Sequence, residues 1–170
     1  MKHRKIIIYS QLFLLFLFVF TSCGVYSLSG ASIQGKTINV PGFENKAANV
    51  VPTLATNLGN KIRDKILSQS GLTAVNNSDV DYVLKGTIIN YNVSISGVSS
   101  NTSASQNRLT ITVEIEFINN LNEKENFKTN FSRYADFPAS QNLQSVENRL
   151  IETIGEELAD DIFNRAFVNW

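Results

Sequence analysis

Histidine and cysteine are almost missing from this chain of 170 residues, which contains one of each. Both of them, His3 and Cys23, lie near the amino terminus. The remainder has no side chains for Ser-His-Asp or Cys-His catalysis, for a histidine general base, or for most zinc and copper sites. One cysteine cannot form an internal disulfide. An enzyme is therefore less expected than for an average sequence, although a carboxylate pair or a Ser-Lys pair stays open.

Residues 1–22 have the pattern of a signal peptide. Three basic residues among the first five are followed by an apolar run over residues 12–20 and then by small residues. The run is shorter than the ~20 apolar residues that a membrane-spanning helix needs. We therefore predict export of the chain and cleavage immediately before Cys23.

Cys23 is the residue whose chemistry the sequence predicts most directly. The sequence Phe20-Thr21-Ser22-Cys23 resembles the lipobox of bacterial lipoproteins. This resemblance implies acyl chains on the sulfur of Cys23 and on the new amino terminus, and several acyl chains anchor a protein firmly to a membrane. The alternative is an ordinary secretory signal followed by a chance cysteine, which would leave an unpaired thiol on an exported protein.

The chain that remains after cleavage is mildly acidic. Three of the 15 basic residues lie in the predicted signal peptide, whereas all 15 acidic residues follow it. A mildly acidic domain is poorly suited to bind nucleic acid, so we predict no nucleic-acid partner. The length suits one domain with a proper core. We predict a lipidated tether over residues 23–35 and a single domain over residues 36–170.

Two segments have the spacing of amphipathic helices. In both, apolar residues recur every four positions, which predicts one buried stripe on each helix. The first stripe comprises Leu54, Leu58, Ile62 and Ile66, and the second comprises Val146, Leu150, Ile154, Leu158 and Ile162. Gly71 stands where a left-handed cap would end the first helix.

An acidic stripe of Glu152, Glu156 and Asp160 runs along one side of the second predicted helix. Carboxylates four positions apart face one another on a helix, so this stripe could bind a metal or serve acid–base chemistry. No histidine accompanies it, and we interpret it as a solvated face.

Alternating apolar residues predict the strands. The clearest alternation covers residues 109–117, and a returning strand from Phe127 completes a hairpin. The strand from Tyr82 to Ile95 changes apolar parity partway, which predicts either a β-bulge near residues 86–89 or burial of both faces. Short strands are predicted at residues 36–40 and 72–75.

Two polar segments separate these elements. Ser96–Asn107 is almost entirely small and polar, which predicts a loop. Residues 135–140 are predicted to connect the last strand to the last helix. The fold class that follows is α+β: a two-layer sandwich of two helices on one face of a four- to five-stranded, mostly antiparallel or mixed sheet, in the order β-α-β-β-β-α.

This order of elements, together with several local sequences, resembles the LptE family, and in particular its Bacteroidota branch. The stretches that carry the resemblance are residues 23–28, 51–54, 108–113, 131–136, 161–164 and 168–170. Together they span essentially the whole chain after the predicted cleavage site.

The resemblance implies a non-enzymatic outer-membrane lipoprotein without a cofactor other than its acyl chains. Proteins of this family plug the β-barrel protein LptD from the periplasmic side, help to assemble it, and assist the delivery of lipopolysaccharide. The expected partners are an LptD-like barrel, lipopolysaccharide and the inner leaflet of the outer membrane. Gly24 after the cysteine, with no acidic cluster beyond it, resembles the sorting signal for the periplasmic face of that membrane.

Family members are thought to touch lipopolysaccharide phosphates through basic residues. The nearest cations here are Arg108, at the end of the polar loop, and Arg133, before the last helix. Arginine suits phosphate because it makes two parallel hydrogen bonds. A structural salt bridge is the alternative interpretation for each.

Two other functions compete with this one. A lipoprotein of the same fold could bind glycan or lipid, or pilot another secretion barrel. An envelope hydrolase could use Glu114 or Glu116, although nothing in their alternating strand predicts the burial that would adapt a carboxyl group to acid catalysis.

Overall fold

A long antiparallel ladder forms the centre of the computed structural model, which describes residues 33–49, 51–77, 79–97 and 106–168. The elements in chain order are β1 (Thr37–Asn39), β2 (Glu44–Asn45), α1 (Leu54–Ser70), β3 (Thr73–Ala74), β4 (Tyr82–Gly97), β5 (Gln106–Asn119), β6 (Phe127–Pro138) and α2 (Leu143–Phe167). A single 3-10 turn, Glu123–Glu125, joins β5 to β6.

The sheet is mixed and runs in the order β3-β1-β4-β5-β6, with β2 also pairing with β4. β4–β5 and β5–β6 are antiparallel, whereas β1 and β2 both lie parallel to β4 and cover the first half of its outer edge. The expected α+β sandwich is confirmed. The described residues contain six strands instead of four or five, and the strand that was not predicted is the two-residue β2, which pairs with β4.

Strand β5 separates the two faces of the sheet most sharply. Its odd-numbered residues from Leu109 to Phe117 are almost fully buried, and the even-numbered ones are half-buried. Both helices pack against the odd-numbered side and bury the stripes predicted for them. The other face of the sheet is left open, with polar side chains.

The predicted β-bulge lies at Ile89. The β4–β5 register shifts between Ile88 and Asn90, so Ile89 is the extra residue. The shift returns Tyr91 to the buried face, where its hydroxyl donates to the Glu147 carboxylate of α2. Burial, and then that hydrogen bond, raise the pKa of Tyr91 well above its usual value.

Three boundaries differ from the sequence-based expectation. Strand β6 continues to Pro138, through the segment from Ala135 that was expected to be a connection. Strands β4 and β5 extend into both ends of the expected Ser96–Asn107 loop, reaching Gly97 and Gln106. In each case the neighbouring strand supplies hydrogen-bond partners for the backbone, and a polar local sequence gives no indication of this pairing. Helix α1 runs from Leu54 to Ser70 and is capped, as predicted, by Gly71 in the left-handed conformation, with a φ of 70°.

Among the residues that the structure describes, we find no helix with the length and apolar character needed to cross a membrane.

The packing position of one aromatic ring depends on the absence of side chains at two glycines. Phe43 is buried between α1 and β4, where its ring faces Gly59 on the helix and Gly86 on the strand. A Cβ atom built on Gly86 would lie 2.1 Å from Phe43 Cε2, and one on Gly59 would lie 3.2 Å from the same ring. The segment between β1 and β2 is therefore fastened to the core through this contact.

We predict that Gly86→Ala destabilises the domain by about 1–3 kcal/mol, because the added methyl group overpacks the space held by Phe43. The free energy of unfolding in urea measures this loss. Gly97→Ala, on the same strand, is the matched control because its added Cβ meets nothing within 4 Å. Equal stability of the two variants would contradict the packing assigned to Phe43.

Candidate interaction surface: the open sheet face and its edge

The structure does not bring the predicted site residues together. Cys23 lies outside the described residues. Arg108 on β5 and Arg133 on β6 are both described, but they project from opposite faces of the sheet, because Arg108 pairs in register with Asp136 and Arg133 with Ile111. A single phosphate held by both arginines is therefore not supported.

Arg108 belongs to a three-residue cluster on the open face. Its Nε and an Nη donate to the two carboxylate oxygens of Asp136 at 2.8 and 2.9 Å. Its Cζ lies 3.6 Å from the centre of the Tyr134 ring, a cation–π contact. The hydrogen bonds from Arg108 lower the pKa of Asp136. The guanidinium group is therefore fixed in place on the sheet.

Arg133 is held in a similar way on the helix side of the sheet. Its guanidinium donates to both carboxylate oxygens of Asp161 at 2.6 Å, and Glu157 lies 4.0 Å away. These contacts tie the edge strand β6 to α2. Both arginines thus form salt bridges, as the alternative interpretation expected. Their contact with phosphate stays a prediction, and a phosphate group would have to compete with a carboxylate for each guanidinium.

The half of the open face that lies near β2 and the start of β4 carries paired charges. Lys85 bonds Glu116 at 3.2 Å, Lys128 bonds Glu114 at 3.0 Å, and Lys46 bonds Glu44 at 2.7 Å. Each carboxylate is matched by an ammonium group, and the pairs are open to water. These contacts are ordinary exposed salt bridges, so they give no support to a hydrolase based on Glu114 or Glu116.

The centre of the same face is uncharged and hydrogen-bonding. The hydroxyl oxygens of Thr112 and Ser132 are 3.0 Å apart across β5 and β6. Asn90 lies in register with Thr112, and the next row of the same face ends at Tyr134, a residue that is 51% exposed. The centre of this face is therefore polar, and the charged side chains beside it are paired within the domain.

The acidic stripe of α2 also has partners. Lys61 on α1 binds Glu152 and Glu156, and Lys65 binds Asp160. The stripe therefore joins the two helices along their outer groove. Within the described part of the chain, no group of three or more His, Cys, Asp or Glu side chains could hold a metal ion.

Tyr134 and Asp136 received no role from the sequence. The alternation that begins at Phe127 does place both on the open face once it is continued past Arg133. Because residues 135–140 were expected to form a connection, the alternation was not continued as far as Asp136.

A family model, described as lipopolysaccharide-assembly, matches residues 35–166. The chain belongs to the LptE family. Its described fold spans almost the same residues, so the expectation drawn from the local resemblances is confirmed. A search of curated proteins gave no match.

Solved structures of other bacterial proteins share this fold. A minor lipoprotein of Acinetobacter baumannii is similar with a TM-score of 0.52 and 16% identity, over 78% of this chain and 93% of that one. A hypothetical protein of Chlamydia trachomatis has a TM-score of 0.53 and 7% identity, over 79% and 99% of the two chains. At these identities, the likeness establishes the fold alone.

We predict that the Arg108–Asp136 ion pair makes the free energy of unfolding depend on pH. A carboxyl group whose pKa is lowered by folding stabilises the protein above its unfolded pKa of ~3.9 and loses that contribution as the pH falls through its folded value. Wild type should therefore exceed Asp136→Asn in unfolding free energy at pH 7, and the gap should narrow as the pH falls below the pKa of the unfolded carboxyl group.

Urea unfolding at several pH values measures this gap. The matched control is Glu123→Gln, because Glu123 is exposed and forms no ion pair among the described residues. A gap between wild type and Asp136→Asn that stays constant with pH would show that the ion pair does not contribute.

Proposed function

We propose that this protein is a non-enzymatic outer-membrane lipoprotein that plugs and helps to assemble an LptD-type β-barrel, and so assists the insertion of lipopolysaccharide into the outer leaflet. The observation that carries the proposal is the family match over residues 35–166, which includes nearly all of the described fold.

The amino-terminal segment supplies the membrane attachment in this proposal. Residues 1–22 are removed as a signal peptide, Cys23 becomes the acylated first residue, and the tether to residue 35 leads into the domain of residues 36–170. Acyl chains on Cys23 hold the domain at the periplasmic face of the outer membrane.

The surface of the domain suits a barrel interior. The lumen of an outer-membrane barrel is polar, and a plug must therefore present polar groups without bringing unpaired charge into a confined space. The open face of the sheet meets both needs, since its lysines and glutamates are paired within the domain and its centre carries hydroxyl and amide groups. We assign this face to the contact with the barrel.

Contact with lipopolysaccharide phosphates would fall to Arg108 and Arg133 separately. Each would act as one half of an existing ion pair, so a phosphate group would have to share the guanidinium or displace Asp136 or Asp161. Arg108 is the better placed of the two, because it lies on the face that we assign to the barrel.

We predict that a tagged copy, extracted in mild detergent from its own envelope, retains a large outer-membrane β-barrel protein identified by mass spectrometry. Thr112→Glu should reduce the amount of barrel recovered, because it adds an unpaired charge at the centre of the open face. Asn60→Glu, on the exposed outer side of α1, is the matched control and should not. Failure of wild type to retain any barrel would contradict the proposed function.

We predict that Cys23→Ala releases the protein from the membrane fraction without unfolding it, because the residue serves only to carry the lipid. Fractionation followed by circular dichroism of the released protein tests this. A released chain that is unfolded would mean that Cys23 has a structural role, and a chain that remains in the membrane would refute anchoring through that residue.

A further inference from the structure

Strand β4 is covered along only the first half of its outer edge. β1 and β2 pair with it as far as Ile88, and Asn49 Nδ2 then donates to the backbone carbonyl of Tyr91 at 3.2 Å. Beyond that contact, no strand among the described residues lies beside β4 on this side. The register with β5 is regular from Asn90 to Ile95, between two shifts that limit where a further strand can pair. This stretch, about 20 Å long, is long enough for an ordinary strand to pair with it.

The outward backbone groups of this stretch belong to residues whose side chains are exposed. In an antiparallel strand, both backbone groups of a residue point to one edge, and the edge alternates from residue to residue. Because the carbonyl of Tyr91 points outward, the N–H and C=O groups of Val93 and Ile95 do so too. The exposed fraction rises along the same residues, from 6% at Tyr91 to 37% at Val93 and 71% at Ile95. Backbone hydrogen-bonding groups and aliphatic side chains are thus presented together.

The two edges of the sheet differ in their protection against pairing. Edge strands usually carry charged side chains or proline, which prevent the addition of another strand. β6 has both, with charges at Lys128 and Arg133 and a proline at its end, Pro138. The stretch from Asn90 to Ile95 has neither, and its valine and isoleucines favour strand structure. Only the second half of β4 therefore retains the character of a pairing surface.

We propose that an extended segment of the barrel protein adds to the sheet beside residues 90–95 of β4 as a further strand. This inference rests on the proposed function, which supplies the barrel protein as the partner. The stretch borders the open face that we assign to the barrel, since Asn90, Asn92 and Ser94 lie in register with open-face residues of β5. The added strand continues the barrel contact around the edge of the sheet.

The chemistry of the edge selects a polypeptide. Outward N–H and C=O groups recur at every second residue, and another extended backbone offers acceptors and donors at the same spacing. An acyl chain could cover Val93 and Ile95, but it would leave their N–H groups without acceptors in a site that excludes water. The segment that fits has aliphatic side chains at alternate positions, opposite Val93 and Ile95, and no charge or proline between them.

Photocrosslinking from the edge tests the added strand. The full chain, tagged and expressed in its own envelope, carries p-benzoylphenylalanine in place of Val93 in one variant and of Ile95 in another. Both variants should capture the barrel protein. The captured positions should lie about two residues apart in one segment, because facing residues of paired strands advance together. The matched control is the same replacement at Leu121, which is 51% exposed in the turn after β5 and should not capture that segment.

A charge placed at the edge tests whether the pairing contributes to binding. Val93→Lys should lower the amount of barrel recovered in mild detergent on the order of tenfold, because a charged side chain at this position opposes strand addition. Leu121→Lys is the matched control and should recover as much barrel as wild type. Circular dichroism should show both variants folded, since both replaced side chains are exposed. Ile95→Lys, at the more exposed position, provides the same test if Val93→Lys does not fold.

The inference and the proposed function fail separately. Wild type that retains the barrel, without capture of one barrel segment from positions 93 and 95, overturns the inference and leaves the proposed function intact. Capture from those positions of a second copy, of the chain's own residues or of an unrelated protein has the same meaning. Wild type that retains no barrel contradicts the proposed function and overturns the inference with it.

Discussion

The one-sided burial of β5 is the constraint on which the rest of the structure depends. This strand has a neighbour on each side, and every second side chain from Leu109 to Phe117 is removed from water by the two helices. Because strand side chains alternate strictly, placing these residues in the core forces Arg108, Thr110, Thr112 and the two glutamates onto the other face. With no disulfide available to the chain, burial of this single apolar layer is the main force that holds the sheet and helices together.

The same constraint also explains the polar character of the open face of the sheet. A sheet covered on one side only must leave its second face in water, and this one satisfies its charges in pairs instead of burying or clustering them. Paired charges contribute little to stability at an exposed surface, but they allow a polar face to approach another polar surface without strong repulsion. The chain belongs to the LptE family, and we propose that this open face contacts the barrel.

The sequence predicted the elements with strong periodicity and missed those that depend on partners. The stripes of α1 and α2, the parity change resolved by Ile89 and the cap at Gly71 each follow from local pattern or glycine geometry. Strand β2 could not be predicted, since two residues carry no period and exist as a strand only because β4 offers its edge. The end of β6 at Pro138 was missed for the same reason. For the site, the charges were visible, but their partners on other elements were not.

The prediction of a signal peptide, the single cysteine, the absence of histidine beyond residue 3 and the α+β class came from the sequence alone, because each depends on residue identity or short-range spacing. The tertiary structure decided that Arg108 and Arg133 project from opposite faces and that each is held by a carboxylate. It also decided that the acidic stripe of α2 meets the lysines of α1 and that β6 ends the sheet. These features depend on strand register and helix placement, which bring together residues 28 to 95 positions apart in the chain.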